Sequence, residues 1–399
     1  MFENIKTYNK MPNSKLSIID DLAEGIGAPL RDEDISVILF GDSPVEEETR
    51  PDSDMTEDDM QIGRALNDFR RVIEAIPLEK NWSEEFRKIN PIQSKDSEFA
   101  IDYFIDGSIR TKYVGELVSN KGTGGPLVVA NVGAVSVKID YSKWKVVPSG
   151  FLSKVLVYLT QDIPDTTQQM IKSKLKSLMI PVEVEFLAQG DTEANLRTSA
   201  GGKARSEMHK TEISLATSIP LDRRWLAVDG ALRKKEFMEL NKAIGIAKSF
   251  SRKVVFIGGG KPKSISHLSK MKKWERSKIY RYRIVGENKE SEEQEALEKV
   301  AFWYLRIRQP PPEMMPLGGI VKVDLSYSEE MEQNITSLVD GLSDSILKLA
   351  DPSIFPRPRW PSFVYPVRVA EEYLGPSLYS NDEFMRLGIT LKKVMYDNR

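Results

Sequence analysis

The chain has 399 residues, which is enough for one large domain or two, and 40% of them are hydrophobic. This composition excludes a chain that is disordered throughout, and no run approaches the ~20 apolar residues that a membrane-spanning helix needs. The sequence has no cysteine and only two histidines. These counts exclude disulfides, thiol catalysis and a histidine-rich zinc centre, so a catalytic metal would need carboxylate ligands.

The formal net charge of −2 conceals an uneven distribution. Residues 1–100 carry 12 basic and 23 acidic side chains, whereas the remaining residues carry 45 and 36. Residues 201–286 alone hold 21 basic side chains against 7 acidic ones. A basic block of this size is typical of a surface that binds a phosphate backbone, although a solvated surface would give the same count.

Residues 1–95 are interpreted as an acidic N-terminal extension. Residues 42–60 are acidic and contain proline, which predicts a linker. Apolar side chains from Asp59 to Ile76 recur at helical spacing and predict an amphipathic helix. No apolar signal segment opens the chain, so we expect a cytoplasmic protein without a membrane anchor. The main domain is expected to occupy residues 96–399.

Near residue 98 the sequence changes to the spacing of strands. Three β-rich runs, FAIDYFIDGS, KYVGELVSN and PLVVANVGAVSVKID, are separated by breaks at Gly107-Ser108 and at residues 121–125. Short breaks of this kind join antiparallel neighbours, so we expect a three-stranded meander. Helices are then predicted at residues 150–160 and 165–179 and in SEMHKTEISLATSI.

The rest of the chain alternates strands and helices. Apolar runs predict strands in VEVEFLA, RWLAVDGAL, GIAKSF, KVVFIG, IYRYRIVG, FWYLRIR and GGIVKVDLSY. A basic helix is expected at residues 264–278, and two amphipathic helices are expected in YSEEMEQNITSLVDGLSDSILKLA and from YPVRVAEEYLGPS onward. Strands that alternate with helices after a meander predict an α/β fold with a mixed sheet.

Asp106 in FIDGS and Asp229 in AVDGA are the most informative pair of residues. In both motifs an apolar run delivers an aspartate directly before a glycine, which predicts a carboxylate at a strand end followed by a sharp turn. Carboxylates brought together at one sheet edge could hold a divalent metal that activates water for displacement at phosphorus. Asp-Gly is also a common turn pair, so a plain turn is the alternative for each motif.

Five motifs follow one another between about residues 98 and 390. FIDGS is followed by a glutamate-bearing helix with RWLAVDGAL, by KAIGIAKSF, by the pair FWYLRIR and GGIVKVDLSY, and by WPSFVYPVRVAEEYL. This ordered set resembles the NurA family of nucleases. The resemblance implies an RNase H-like fold similar to the PIWI domain, in which helices flank a mixed sheet, preceded here by the acidic extension.

The same resemblance implies a metal-dependent DNA nuclease with 5′-to-3′ exonuclease and single-strand endonuclease activity. The implied cofactor is Mn²⁺ or Mg²⁺. The implied partners are DNA, a second copy of the chain and a hexameric HerA-type ATPase that translocates DNA. End processing, repair and phage defence are the roles in which such a complex is expected.

The resemblance also suggests which residues would carry the chemistry. Asp106, Glu212 and Asp229 would be catalytic metal ligands, and Lys248 would neutralise the scissile phosphate. Glu207 lies on the same predicted helix as Glu212 and is the alternative to it.

One position departs from the family pattern. Where the family has a histidine on its final helix, this chain has Glu371 and Glu372. Either glutamate could replace the histidine as a metal ligand, and Glu371 is the assigned one. The departure could equally weaken catalysis, which leaves a DNA-binding or scaffold subunit as the alternative function. His209 and His267 are expected to be exposed or capping side chains rather than ligands.

Basic side chains after residue 260 form the predicted DNA-binding set: Lys261, Lys263, Lys270, Lys272, Lys273, Arg276, Lys278, Arg281 and Arg283. Trp274, Tyr280 and Tyr282 are interleaved with them and could stack on bases. Tyr280, Tyr282 and Ile284 also alternate as one face of a strand, so the two tyrosines could instead belong to the core.

Overall fold

The computed structural model describes most of the chain. The described residues are 15–39, 72–79, 83–90, 99–119, 124–188, 193–221, 224–232, 235–240, 242–251, 253–257, 261–285, 297–309, 316–351 and 364–396. Within them the protein has an α/β fold in which helices flank one large mixed sheet. The predicted linker at residues 42–60 lies outside the described residues.

The strands follow one another along the chain as β1 Ile35–Leu39, β2 Val72–Pro77, β3 Phe86–Lys88, β4 Ile101–Ser119, β5 Gly124–Asp140, β6 Lys145–Thr160, β7 Val182–Leu187, β8 Trp225–Asp229, β9 Ala243–Ala247, β10 Val255–Phe256, β11 Glu275–Ser277, β12 Tyr280–Val285, β13 Val300–Arg306 and β14 Ile320–Ser326. The α-helices are α1 Lys15–Asp32, α2 Asp165–Lys176, α3 Glu193–Thr217, α4 Lys235–Met238, α5 Ile335–Lys348, α6 Tyr365–Ser377 and α7 Asn381–Tyr396.

The centre of the sheet combines an antiparallel meander with parallel strands. Strands β4, β5 and β6 pair antiparallel, whereas β8 and β9 continue the sheet beyond β4 as parallel neighbours. The main path runs β7-β6-β5-β4-β8-β9-β14-β13-β12-β2-β10. The predicted mixed sheet is therefore confirmed, whereas its meander is built from other strands than those predicted.

Two predictions for the meander were wrong. The expected break at Gly107-Ser108 does not occur, because β4 passes through it as one strand from Ile101 to Ser119. The expected helix at residues 150–160 belongs to β6. Residues 155–160 are buried on both faces of the sheet, so their apolar run has no strand alternation to distinguish it from a buried helix.

The later elements follow the prediction with one exception, and one segment near the N-terminus also departs from it. Strands β8, β9, β12, β13 and β14 and helices α2, α3, α5 and α6 occur where they were expected. The basic helix at residues 264–278 is reduced to a short 3₁₀ helix, Ile265–Lys270, followed by β11. Residues 72–77 at the end of the expected N-terminal helix form β2, and the rest of that helix lies outside the described residues.

The described parts of residues 1–95 join the same sheet as the rest of the chain. Strand β1 pairs with β4, β2 pairs with β12, and β3 pairs with β11. Helix α1 packs against α7, and the Arg31 guanidinium donates a hydrogen bond to the Val394 carbonyl at 3.0 Å. These segments therefore extend the main sheet and its helical layer. Among the described helices, none is both long and apolar enough to cross a bilayer.

Alternation along β4 assigns neighbouring residues to opposite faces of the sheet. Phe104 packs in the cluster formed with α5 and α6, whereas Ile105 packs in the cluster formed with α3. By the same alternation Asp106 faces the α5 and α6 layer and Gly107 faces α3. One strand thus presents two consecutive residues of the FIDGS motif to two different layers.

A buried ion network ties the sheet to α5. The guanidinium of Arg276 is fully buried and donates to both Glu79 carboxylate oxygens at 2.8 and 3.0 Å. Its Nε donates to Asp340 at 2.6 Å, and Glu79 also accepts the Ile279 amide at 3.0 Å. Arg276 was predicted to bind DNA, and this prediction was wrong because the side chain is fully buried and pairs with Glu79 and Asp340.

We expect Arg276→Met to destabilise the protein by about 3–5 kcal/mol, because it leaves the buried charge of Glu79 without its partner. The matched control is Arg283→Met, because exposed Arg283 pairs with Glu74 at the surface and its loss should cost less than about 1 kcal/mol. Urea unfolding measures both values. Equal, small losses for the two variants would contradict the structural role of Arg276.

Candidate metal centre

Three carboxylates from three separate elements converge at one point. Asp106 lies within β4, Asp229 is the last residue of β8, and Glu371 lies on α6. One carboxylate oxygen from each lies within 4.8 Å of the others, which makes this a group that could hold a metal ion. The predicted convergence of Asp106 and Asp229 is confirmed, and Glu371 joins them as assigned.

Glycines shape the chain around Asp229. Gly230 has φ +105°, a conformation that favours glycine, so the chain turns directly after the strand. Gly245 of β9 lets this turn pack closely, because a Cβ there would lie 2.5 Å from the Leu232 backbone nitrogen. The Asp-Gly turn predicted at Asp229 is confirmed, whereas Asp106-Gly107 is the interior of a strand.

Lys248 directly follows the last residue of β9, and its ammonium group lies among the carboxylates. Its Nζ lies 3.0 Å from Asp229 Oδ2 and 2.8 Å from Glu371 Oε1. Burial lowers the pKa of Lys248, but the carboxylates of Asp229, Glu371 and Asp106 outweigh it and raise the pKa above its usual range. Lys248 is therefore protonated at neutral pH and supplies one positive charge to the cluster.

Asp106 lies in an electrostatically unfavourable environment. Burial raises the pKa of Asp106 well above the ordinary value, and the carboxylates of Asp229, Glu371 and Glu212 raise it further, whereas Lys248 lowers it. The net effect raises the pKa of Asp106, so the positive charge of Lys248 offsets only part of the effect of burial and of the neighbouring carboxylates. A divalent cation at this point would favour the ionised form of all three carboxylates.

Glu212 reaches β4 from the other layer of the fold. A Cβ on Gly107 would lie only 2.4 Å from Glu212 Oε1, so the carboxylate rests against the strand where a side chain is absent. Its Oε2 lies 2.8 Å from His209 Nδ1. Glu212 is near enough to raise the pKa of Asp106, yet it is not in the three-carboxylate group.

For two of the predicted site residues, Glu212 and Glu371, a nearby glutamate was the alternative. Glu207 forms ion pairs with Lys154 and Lys210, and Glu212 is the residue that lies at β4. Glu372 accepts a hydrogen bond from Arg368 at 2.8 Å, whereas Glu371 points to Lys248. Glu371 therefore lies in the carboxylate group, whereas Glu212 lies near Asp106 but outside that group.

His209 was expected to be exposed or a helix cap, but its ring is mostly buried and contacts Glu212. The spacing of His209 and Glu212, three residues apart on a helix, is the signal that could have indicated this contact. Gly107 was likewise interpreted as a turn residue, and its actual role is to admit the Glu212 carboxylate.

Most of the predicted DNA-binding set lies at the surface. The exposed members are Lys261, Lys263, Lys270, Lys272, Lys273, Arg281 and Arg283, and Lys278 is half-buried. Lys273 Nζ lies 4.9 Å from the centre of the partly exposed Trp274 ring. Tyr280 and Tyr282 are buried beside Phe302, so the interpretation that they belong to the core is confirmed.

Comparison of the sequence with protein-family models finds no match. Comparison with curated proteins likewise finds no relative.

We expect Gly107→Ala to displace the Glu212 carboxylate and to destabilise the protein by about 1–3 kcal/mol, because the new methyl group overlaps it. Gly202→Ala on α3 is the control, since a Cβ there meets open space and should stabilise the helix by roughly 0.5–1 kcal/mol. Urea unfolding measures the energies, and the NMR shift of His209 reports the displacement. An unchanged His209 signal in Gly107→Ala would count against the contact.

We expect Asp106→Asn to raise the melting temperature of the metal-free protein at neutral pH. The pKa of Asp106 is higher in the folded state than in the unfolded chain, so its ionisation removes stability as pH rises above 3.8. Asparagine removes this penalty, and the advantage of the variant should narrow as the pH falls from about 8 to about 5. Thermal unfolding in EDTA measures it. A variant that melts lower than the parent across this range would refute the predicted electrostatic conflict.

Proposed function

We propose that this protein is a divalent-metal-dependent deoxyribonuclease. The observation that carries the proposal is the convergence of Asp106, Asp229 and Glu371 around Lys248. Three carboxylates held close together in a half-buried site repel one another when no metal is bound. Such an arrangement is typical of a centre that binds a cation and uses it for chemistry.

The topology supports an RNase H-like fold. Strands β4, β5 and β6 form an antiparallel meander, and β8 and β9 extend it on the β4 side as parallel strands. The resulting order β6-β5-β4-β8-β9 has helix α3 between the meander and β8. This mixed sheet, with Asp106 on the strand where the antiparallel and parallel parts meet, supports the RNase H-like fold that the resemblance implies.

The donor set fits Mn²⁺ or Mg²⁺. Asp106, Asp229 and Glu371 offer only carboxylate oxygens, which are the ligands that hard divalent ions prefer. The Lys248 ammonium already lies against two of these carboxylates, so the site attracts positive charge. Asp106, Asp229 and Glu371 would hold the ion.

When bound, the metal would supply activation of water and stabilisation of the oxygens of a displacement at phosphorus. Lys248, held at 2.8–3.0 Å from two carboxylates, keeps their oxygens aligned and brings a positive charge toward a phosphate at the site. Glu212, hydrogen-bonded to His209, adds negative charge on the far side of β4 and raises the pKa of Asp106.

A nucleic-acid backbone is the substrate class that suits the rest of the chain. The seven exposed basic residues between Lys261 and Arg283, with Trp274 among them, offer charge for phosphates and a ring for a base. DNA as the substrate, a homodimer, a HerA-type ATPase as the partner and a cytoplasmic role in end processing, repair or defence follow from the resemblance to the NurA nucleases and belong to the same proposal.

A catalytically weak DNA-binding subunit is the second candidate. The observation that favours it is the ion pair of Lys248 with Asp229 and Glu371, since one internal cation already neutralises part of the cluster. A glutamate at the position of the family's histidine points the same way.

Degradation of end-labelled linear DNA in Mn²⁺, with and without a HerA-type ATPase, separates the two candidates. We expect Glu371→Gln to lower the cleavage rate at least about 100-fold, because it removes a charged ligand from the centre. The matched control Glu372→Gln changes the neighbouring residue, which pairs with Arg368, and should keep nearly the parental rate.

Two results would contradict the proposal. A parent protein that binds DNA but cleaves none, with or without the ATPase, would favour the binding subunit. Equal rates for Glu371→Gln and Glu372→Gln would show that the carboxylate cluster is not the catalytic centre.

A further inference from the structure

A buried ion pair lies in β14, outside the carboxylate cluster. Lys322 and Asp324 are two residues apart on one face of the strand, and both are at least 98% buried. The Lys322 Nζ lies 2.9 Å from Asp324 Oδ1 and 5.3 Å from the ring centres of Tyr282 and Phe302. Burying two charges is costly, so a pair in this place calls for a reason beyond packing.

Asp324 lies on β14, which is separated from β8 by β9, and its side chain reaches the turn that follows Asp229. Its Oδ2 accepts a hydrogen bond from the Leu232 backbone amide at 3.2 Å. Asp324 is paired with Gly245 of β9 in the sheet register. Because Gly245 has no side chain, the Leu232 backbone packs directly over it, within reach of the Asp324 carboxylate.

The turn needs such an anchor because of its glycine. Gly230, at φ +105°, has more accessible conformations than any other residue would have, and it directly follows the Asp229 carboxylate. Two hydrogen bonds restrain the turn: Gly230 N–H to the Ile246 carbonyl at 2.9 Å, and Leu232 N–H to Asp324. A charged acceptor forms a stronger hydrogen bond than a neutral one, which accounts for a carboxylate at this position.

We propose that Asp324 is a positioning residue, with Lys322 as its counter-ion, that fixes the turn after β8 and thereby the direction of the Asp229 carboxylate. The consequence for metal binding rests on the proposed function. The restraint of the turn does not, because it acts on the chain whether or not a metal binds.

A matched pair of double variants tests the proposal. K322M/D324N removes both charges but keeps an oxygen that can accept from Leu232, whereas K322M/D324L has a similar volume and no acceptor. Both avoid an unpaired buried charge, so both should fold. Should leucine not fit the site, K322M/D324A provides the same comparison with a smaller side chain.

Two readouts are measured on the full chain: hydrogen exchange of the Leu232 amide by mass spectrometry, and Mn²⁺ affinity by calorimetry. We expect K322M/D324L to exchange this amide at least about tenfold faster than K322M/D324N. The dissociation constant of K322M/D324L for Mn²⁺ should be about 10- to 100-fold higher than that of K322M/D324N, as is typical when a group that orients a metal ligand is lost.

Equal exchange of the Leu232 amide in the two variants overturns the proposal, whatever the metal does. Faster exchange with an unchanged Mn²⁺ dissociation constant also overturns it, because the turn would then not direct Asp229. Faster exchange in a protein whose parent binds no Mn²⁺ supports the restraint of the turn and instead refutes the proposed function.

Discussion

The electrostatic conflict among Asp106, Asp229 and Glu371 is the constraint on which the rest of the site depends. Burial and mutual repulsion raise the pKa of Asp106, and the single ammonium of Lys248 does not reverse that direction. The fold nevertheless holds these groups together from β4, β8 and α6, which are separated widely along the chain. Such a cluster costs stability in the metal-free protein, and a divalent cation is the ligand that would remove the cost.

The support of the cluster is distributed over the surrounding strands. Strand β4 carries Asp106 toward one helical layer and, through the absence of a side chain at Gly107, admits Glu212 from the other. Lys248 directly follows strand β9. Within that strand, Gly245 leaves space for the turn beyond Asp229. Glycines in these strands weaken them as isolated elements, and close approach of backbone and carboxylates explains why they are there.

The sequence predicted the convergence of Asp106 and Asp229 better than it predicted the structure around them. Asp229-Gly230 could be interpreted correctly because glycine after an apolar run is a local signal for a turn. Two other features could not be predicted in this way: the continuity of β4 through Asp106-Gly107, and the strand at residues 150–160. Both depend on burial between neighbouring strands. The burial of Arg276 and the contact of Asp324 with Leu232 could not be predicted either. Arg276 pairs with Asp340, 64 positions away in the chain, and Asp324 accepts from Leu232, 92 positions away.

Diffraction from crystals soaked in Mn²⁺, recorded at a wavelength where manganese scatters anomalously, tests the central claim most directly. We expect an anomalous peak within bonding distance of carboxylate oxygens from Asp106, Asp229 and Glu371, and its loss in Asp106→Asn crystals soaked in the same way. Density with no peak among these three carboxylates, or a peak bound only by surface acidic residues elsewhere, would contradict it.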